Sequence, residues 1–400
     1  MIRAVVACVL CLACQHFLAA GPQVQEPASP QILSAADLKT AIDTLGNLDY
    51  RVRTNASRAI RRAQAAQAVP ALVEAAAGHA DGYVRYRALV LLTAFNDPQT
   101  TASMRAAMTS PNDRLRTVAY SFFEHHPDRE LAPVLLAALD KEPGEFVRPS
   151  LVRALAAIGS TSGDARIQGA LVRETGRGQD FFRSVVVEAL GDYKAQYAFE
   201  PLVNIVKTDG PLQNDTAIAL GKLGDKRALD VLAALQRTAP KATQPYIAAG
   251  ICLLGVNCAA HEQFLVDTLK FADKNSGYQD HLRASAAALA QLAVAGQSPD
   301  RVPVDALFEV GLGAGESTRA PVSLALATIA LRRTPAMLAA LRTHPNRDAA
   351  IGLLAEGFDG LEEDYEKERF FALVRHSYWA ADAGSPGRDV IQALIGKLDF

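Results

Sequence analysis

The chain has 400 residues, of which 50% are apolar and only 6% aromatic, and its formal net charge is −2. Many of the apolar residues are alanine, and small side chains in this proportion favour packed helices and argue against an all-β fold. The near-neutral charge disfavours a strongly basic nucleic-acid-binding protein.

The N-terminal residues 1–20 are typical of a secretory signal peptide. Arg3 is followed by an apolar run at 4–13, which is shorter than the roughly 20 residues that a membrane-spanning helix needs. Small residues at Ala19 and Ala20 fit a cleavage site after Ala20. We therefore expect an exported protein, either periplasmic or secreted.

Two further features of this end bear on where the protein acts. Leu12, Ala13 and Cys14 partly resemble a lipobox, and lipidation at Cys14 would make a lipoprotein and give the chain its one expected link to a membrane. Residues 21–33 are rich in Pro, Gln and Ser and predict a flexible linker. The folded part is expected to begin at residue 34.

Residues 34–361 carry an internal repeat that determines the predicted fold. From Val84, apolar or small residues recur four, seven, eight and eleven places later, which is one face of an α-helix. This pattern returns at intervals of about 33 residues, and a shorter apolar helix precedes each copy. About ten such helix pairs cannot bury their apolar faces singly. The sequence therefore predicts an all-α fold, an α-solenoid of stacked helix pairs.

The turn between the two helices of a pair carries a motif. The segment Asp-Gly-Tyr-Val-Arg at 81–85 is echoed at 49–53, and several second helices end on Leu-Gly. These segments resemble HEAT repeats, in the bacterial form also called PBS-lyase HEAT-like repeats, and the resemblance implies a curved solenoid. Four glycines are expected to end second helices in the left-handed conformation: Gly159, Gly191, Gly224 and Gly255.

An arginine follows the reference position in the early pairs: Arg53, Arg85, Arg116, Arg148 and Arg183. We interpret this row as a stacking device rather than a binding stripe, because each guanidinium could reach a turn carboxylate of the neighbouring pair. The prediction is a ladder of ion pairs along one side of the solenoid.

The repeat pattern ends near residue 361, and residues 362–400 are predicted to form helices that cap the open end of the stack. Seven acidic side chains fall within residues 356–368. They are interpreted as a solvated face, with a partner site as the alternative.

The sequence shows no arrangement that indicates catalysis, a cofactor or a metal site, and none is predicted. His125 and His126 are interpreted as a helix end. Cys252 and Cys258 are the two cysteines beyond the leader. Cys252 falls on a core position of its copy, so the first interpretation is a buried, inert thiol. The alternative is a disulfide between the two, which requires the chain to reverse near Gly255, since an unbroken helix would hold them too far apart.

Function is expected to come from the concave face, which the second helices line. Residues five and six places after each reference position begin basic and become aliphatic. This fits either an apolar groove for a peptide or partner helix, or contacts between neighbouring second helices. The residues considered for partner binding are Arg58, Arg61, Arg62, Leu89, Tyr120, Val152 and Arg153.

We therefore predict a non-catalytic scaffold that binds an unidentified protein or peptide and no nucleic acid. The alternative is a lyase-like or other accessory enzyme subunit, which the resemblance suggests because some relatives handle a tetrapyrrole. That alternative requires a pocket with converging polar groups on the concave face.

Overall fold

The computed structural model describes residues 26–208, 210–296, 301–398 and 400. The expected signal peptide and the lipidation candidate Cys14 lie outside these residues. Within them the secondary structure is helical, apart from one isolated bridge between Gln31 and Ala63. None of the helices in the described residues is long and apolar enough to cross a bilayer.

Twenty helices in this part of the chain form ten consecutive pairs, which confirms the predicted α-solenoid. The first helices of the pairs are α1 (Ala35–Thr44), α3 (Ala65–Gly78), α5 (Pro98–Ala107), α7 (Ala132–Lys141), α9 (Ala165–Glu174), α11 (Phe199–Val206), α13 (Ala228–Gln236), α15 (Cys258–Lys274), α17 (Val302–Gly313) and α19 (Thr334–Thr343). The second helices are α2 (Tyr50–Arg62), α4 (Gly82–Leu92), α6 (Asp113–His125), α8 (Arg148–Ser162), α10 (Asp180–Asp192), α12 (Gln213–Leu223), α14 (Gln244–Leu253), α16 (Gln279–Ala295), α18 (Glu316–Arg332) and α20 (Arg347–Asp359). Each second helix packs against the second helix of the next pair, so one apolar interior continues through the stack.

Capping side chains set the start of the early second helices. Asp49, Asp81 and Asn112 accept hydrogen bonds from backbone N–H groups in the first turns of α2, α4 and α6. At the other end, Gly224 and Gly255 have positive φ angles of 76° and 75°, as predicted for helix-ending glycines.

Gly159 and Gly191 do not end their helices, so the prediction is wrong for these two. Both lie inside α8 and α10, where a neighbouring helix comes close. A Cβ at Gly191 would lie 2.7 Å from the Cα of Ala219, and one at Gly159 would lie 2.9 Å from Ile167. Here glycine is required by the close approach of helices and not by the backbone angle.

The arginine row mainly caps the first helices. Each guanidinium donates a hydrogen bond to a backbone carbonyl at or just after the end of the first helix in its own pair, at distances of 2.7 to 3.0 Å. Helix C-termini carry partial negative charge, which favours a cation there. The predicted ladder forms at only two members, since Arg116 pairs with Glu142 at 2.7 Å and Arg148 pairs with Glu174.

The solenoid curves until its two ends meet. α21 (Asp364–Ala380) and α22 (Pro386–Leu398) follow the last pair. α22 packs on α19 and α20 and so covers the end of the stack, whereas α21 contacts α18 and α19 and also α4 and α6. α21 therefore joins the last pairs to the early ones and closes the superhelix.

The segment before the first pair takes part in this closure. The buried carboxylate of Glu26 accepts hydrogen bonds from Arg62, at 2.6 Å, and Arg375, at 2.8 Å. The indole N–H of Trp379 donates a hydrogen bond to the backbone oxygen of Pro27, at 3.1 Å. Residues 26–33 thus differ from the expected flexible linker, because a buried carboxylate between two guanidiniums fixes this segment to the fold.

Candidate functional site

Three residues that were considered for an apolar groove are part of the core. Leu89 and Tyr120 are 1% exposed and Val152 is fully buried. They lie on α4, α6 and α8, where successive second helices pack together. The structure therefore supports the alternative that the sequence left open, contact between neighbouring second helices, and not a groove.

The basic residues at the start of the same row make intramolecular contacts. Arg61 donates two hydrogen bonds to the carboxylate of Glu368 on α21, at 2.8 and 2.7 Å. Arg62 binds Glu26, and Arg58 donates to the side chain of Asn55 at 3.0 Å. Arg61 and Arg62 thus hold the closure together, and they are not free for a partner.

The acidic run at 356–368 is only partly the solvated face that we expected. Besides Glu368, the side chain of Asp364 accepts a hydrogen bond from the hydroxyl of Tyr86 on α4. Glu366 lies 2.6 Å from the Nε2 atom of His125 at the end of α6. These acids were predicted to face solvent because charges are rarely buried unpaired, but here the early pairs supply their partners.

A cavity of about 810 Å³ lies inside the closed superhelix, and we call it the central cavity. Its wall is built from the C-terminal ends of the second helices α6, α10, α12, α14, α16 and α18 together with the start of α21. Its ionisable lining residues are Glu124, His125, Arg153, Glu188, Asp192, Tyr193, Lys194, Lys222, Arg332, Glu363 and Arg369. Polar groups therefore converge on the concave side of the solenoid.

Most of these charges already have a partner. Arg153, which was considered for partner binding, donates hydrogen bonds to Glu124 at 2.8 Å and Asp192 at 3.0 Å. Glu124 also accepts from the hydroxyl of Tyr193 at 3.0 Å, and Lys222 donates to Asp192 at 2.5 Å. This network fixes the wall of the cavity and leaves these groups with little capacity to bind anything else.

Two carboxyl groups of the lining have no hydrogen bond or ion pair among the described residues, those of Glu188 and Glu363. Burial raises the pKa of Glu188, and the nearby carboxylates of Asp215 and Asp192 raise it further. Glu363 is exposed, so water solvates its charge and it needs no partner. Unpartnered groups with perturbed pKa values inside a cavity are candidates for a functional role.

Glu124, His125 and Glu366 place three atoms that can bind a metal within 4.8 Å of one another. Their lone pairs are largely occupied, since Glu124 accepts from Arg153 and Glu366 accepts from Arg369 at 3.1 Å. The hydrogen bond and the charge of His125 outweigh the effect of burial and hold the pKa of Glu366 at about 2. A charge-balanced cluster of this kind is better described as an ion-pair network than as a metal centre.

Cys252 and Cys258 form a disulfide. α14 ends at Leu253 and α15 begins at Cys258, and Gly255 and Asn257 between them both have positive φ. The chain reversal on which this bond was expected to depend is therefore present. The disulfide fastens the end of one helix pair to the beginning of the next.

One edge of the solenoid exposes large apolar side chains, and we call it the apolar edge. It consists of residues at the turns between the first and second helices of four of the first five pairs: Leu48, Tyr50, Tyr83, Phe146 and Phe181. Phe146 is 80% exposed and Phe181 is 57% exposed, and their ring centroids are 6.3 Å apart. None of these residues was predicted to bind a partner, although at Tyr83, Phe146 and Phe181 an aromatic residue one place before the reference position was a visible signal.

Comparison with known families supports the predicted resemblance. Residues 38–122, from α1 to α6, match the family model for HEAT repeats. No curated protein matches the chain in sequence.

Several solved structures are similar to this chain at low identity. The Escherichia coli protein YibA is 18% identical, over 56% of this chain and 82% of its own, with a TM-score of 0.42. The complex of CpcE and CpcF of phycocyanin lyase from Nostoc sp. PCC7120 is 18% identical, over 67% of this chain and 97% of that one, with a TM-score of 0.39. Importin beta is 12% identical, over 90% of this chain and 55% of that one, with a TM-score of 0.36.

Proposed function

Because its early pairs match HEAT repeats and its helices form a closed solenoid, we propose that this protein is an exported, non-catalytic scaffold that binds another protein through the apolar edge. The observation that supports this proposal is the exposure of large apolar side chains at the turns of four of the first five pairs along one edge. The rings of Phe146 and Phe181 make part of this surface contiguous. Folded proteins rarely expose large contiguous apolar patches unless these are used for binding. Tyrosine is also enriched among the residues that dominate binding energy at interfaces.

The apolar edge suits this role better than the concave face. The concave positions considered from the sequence are buried or make contacts within the chain. Phe146 and Phe181, in contrast, form an exposed aromatic pair. A partner that covered both rings would remove a large apolar area from water without any rearrangement of the solenoid.

A site-specific photo-crosslinker tests this surface in the native host. With a benzoyl-phenylalanine in place of Phe146 or Phe181, we expect one discrete crosslinked protein, identified by mass spectrometry. The matched control is the same crosslinker at Phe264, which is 42% exposed on the first helix α15, away from the apolar edge.

The proposal fails if crosslinking at Phe146 and at Phe264 gives the same product. It also fails if neither Phe146 nor Phe181 gives a product. A further variant, Phe146→Ser with Phe181→Ser, is expected to keep the helical circular dichroism of the wild type and to lose the partner. Both side chains are exposed, so their removal costs little stability.

Export is supported by the pattern of residues 1–20. Fused to a reporter enzyme that is active only outside the cytoplasm, residues 1–33 are expected to give activity and a shortened product. Replacement Cys14→Ser leaves processing unchanged for an ordinary signal peptide and blocks it for a lipoprotein. An inactive, unshortened reporter would contradict export.

A second candidate, an accessory enzyme subunit, has one supporting observation. The central cavity brings polar groups together on the concave side, as that function requires. Recovery of a chemically altered ligand after incubation with the protein would support this candidate, and recovery of the unaltered ligand would contradict it.

A further inference from the structure

The two sides of α21 differ in how they are held. Phe370, Val374 and Tyr378 are buried in the apolar core of the late pairs. On the other side, only Tyr365 and Ala372 belong to the core of the early pairs. α21 is therefore a built-in part of the late pairs, whereas on the early pairs it is a docked helix with a small apolar contact.

The rest of the contact with the early pairs consists of ion pairs. The second helices α2, α4 and α6 each supply one basic side chain, and α21 meets each with a carboxylate. These pairs are Arg61 with Glu368 at 2.7 Å, Arg87 with Asp364 at 3.4 Å and His125 with Glu366 at 2.6 Å. We call Arg61, Arg87 and His125 the basic surface. Interfaces that are this polar resemble those of domains that separate and rejoin.

The basic surface is selective for an acidic occupant. The side chains of Arg61 and Arg87 are only 5% and 16% exposed beneath α21. Among the described residues, neither guanidinium has a second carboxylate partner. An apolar or basic helix in the same place would bury both charges unpaired, which is strongly unfavourable.

The occupant must also be a helix of a particular pattern. Asp364, Tyr365, Glu368 and Ala372 are spaced so that they lie on one face of α21. This face carries two carboxylates, one aromatic ring and one small side chain. A helix that lays such a face into a complementary groove is a common mode of protein recognition.

We propose that the basic surface binds an acidic amphipathic helix of another protein, and that α21 occupies this site in cis until such a helix displaces it. Charge complementarity specifies the partner's chemistry. A second copy of this chain would offer only the same helix, and the tethered α21 competes at an effective concentration of about millimolar. The basic surface contains no residue of the apolar edge, so this proposal is independent of the proposed function.

A fluorescein-labelled peptide of residues 361–381 tests the site in the full-length chain. Binding to the wild type should be weak, because the apparent affinity is reduced by the small fraction of open molecules. Glu368→Gln leaves Arg61 without its partner and favours the open form by roughly a hundredfold or more. The peptide restores the missing carboxylate. By fluorescence anisotropy we therefore expect the variant to bind it about tenfold or more tighter than the wild type does.

Matched controls separate this site from a general loosening of the fold. A peptide with Glu368→Gln should lose the gain in affinity, because it brings no carboxylate to Arg61. The chain variant Glu362→Gln, an exposed carboxylate just before α21, should bind as the wild type does. With Arg61→Met added to the Glu368→Gln chain, both peptides should bind alike, since the guanidinium that distinguishes them is gone.

Three results would overturn the proposal. One is a Glu368→Gln chain that binds the peptide no more tightly than the wild type does, and another is equal binding of the two peptides to that chain. The third is a dimer of the Glu368→Gln chain in sedimentation velocity that the peptide dissociates, which would assign the surface to a second copy. Asp364→Asn, with a side chain that is 45% exposed, is a milder opening variant that should rank the two peptides in the same order.

Discussion

Removal of the Glu368 carboxylate tests whether α21 holds the solenoid closed. Its ion pair with Arg61 is among the most enclosed in the described residues, since the two side chains are 1% and 5% exposed. Loss of one partner leaves the other charge buried and uncompensated, which costs about 3–5 kcal/mol. At about 1.4 kcal/mol per factor of ten, even the lower figure favours release of α21 by more than a hundredfold.

Hydrogen exchange read by mass spectrometry measures this release locally. In Glu368→Gln, amides of α21 should exchange at least a hundred times faster than in the wild type, while those of α16 should keep their rates, because solenoid pairs contact only their neighbours. Glu362→Gln, an exposed carboxylate just before α21, is the control. The sequence contains one tryptophan, Trp379 on α21, so its fluorescence gives an independent signal.

Two results would refute this reasoning. One is an unchanged exchange rate in α21, which would mean that the ion pair contributes nothing to closure. The other is equal acceleration in α21 and α16, which would mean that the variant unfolds globally. Conversely, Arg61→Met combined with Glu368→Leu should restore slow exchange, because apolar groups of similar volume can replace a buried pair at little cost.

Two further outcomes follow from the packing and from the acidic groups. Gly357→Ala should lower stability by roughly 1–3 kcal/mol, because its Cβ would overlap the carbonyl oxygen of Ser323, whereas Gly352→Ala on the same helix has open space and should be neutral or stabilising in a denaturant titration. Acid should also loosen the closure. Beside His125 the pKa of Glu366 is about 2, below its ordinary 4.5, so its contribution is present above pH 4.5 and is lost as the pH falls towards 2. A tryptophan fluorescence titration that stays flat over this range would contradict the assignment.

The repeat architecture could be predicted from the sequence because its signal is local. Each copy carries the helical spacing seen at Val84, and capping residues such as Asp81 mark where second helices begin. Ten repetitions of one weak pattern make a strong one. The same holds for the turn at Gly255, which the sequence marks directly and which lets Cys252 and Cys258 meet.

Closure could not be predicted, because it depends on a sum of small rotations. Each pair adds a small rotation to the twist and curvature of the solenoid, and no single residue determines the overall curvature. Glu368 was therefore predicted as part of a solvated face, and Glu26 fell within an expected flexible linker. Their partners Arg61 and Arg375 lie more than three hundred positions away along the chain. Burial of a charge is decided by what faces it, which is a property of the tertiary structure.

The apolar edge was missed for a different reason. Phe146 and Phe181 lie one place before the core positions Val147 and Phe182. The sequence pattern alone would place an aromatic residue at such a position in the core. Only the turn geometry shows that these rings point outwards while Val147 and Phe182 point inwards.

An open solenoid behaves as a spring, whose pitch changes easily under load. Here α21 contacts α4 and α6, and Glu26 pairs with Arg62 and Arg375. These contacts close the spring into a hoop. A hoop cannot widen at one point without opening at its joint, so tension applied anywhere on the circumference is borne by these few ion pairs. The mechanical strength of this molecule therefore depends on the contacts that α21 and Glu26 make with distant parts of the chain. Pulling experiments should find the first rupture at these contacts.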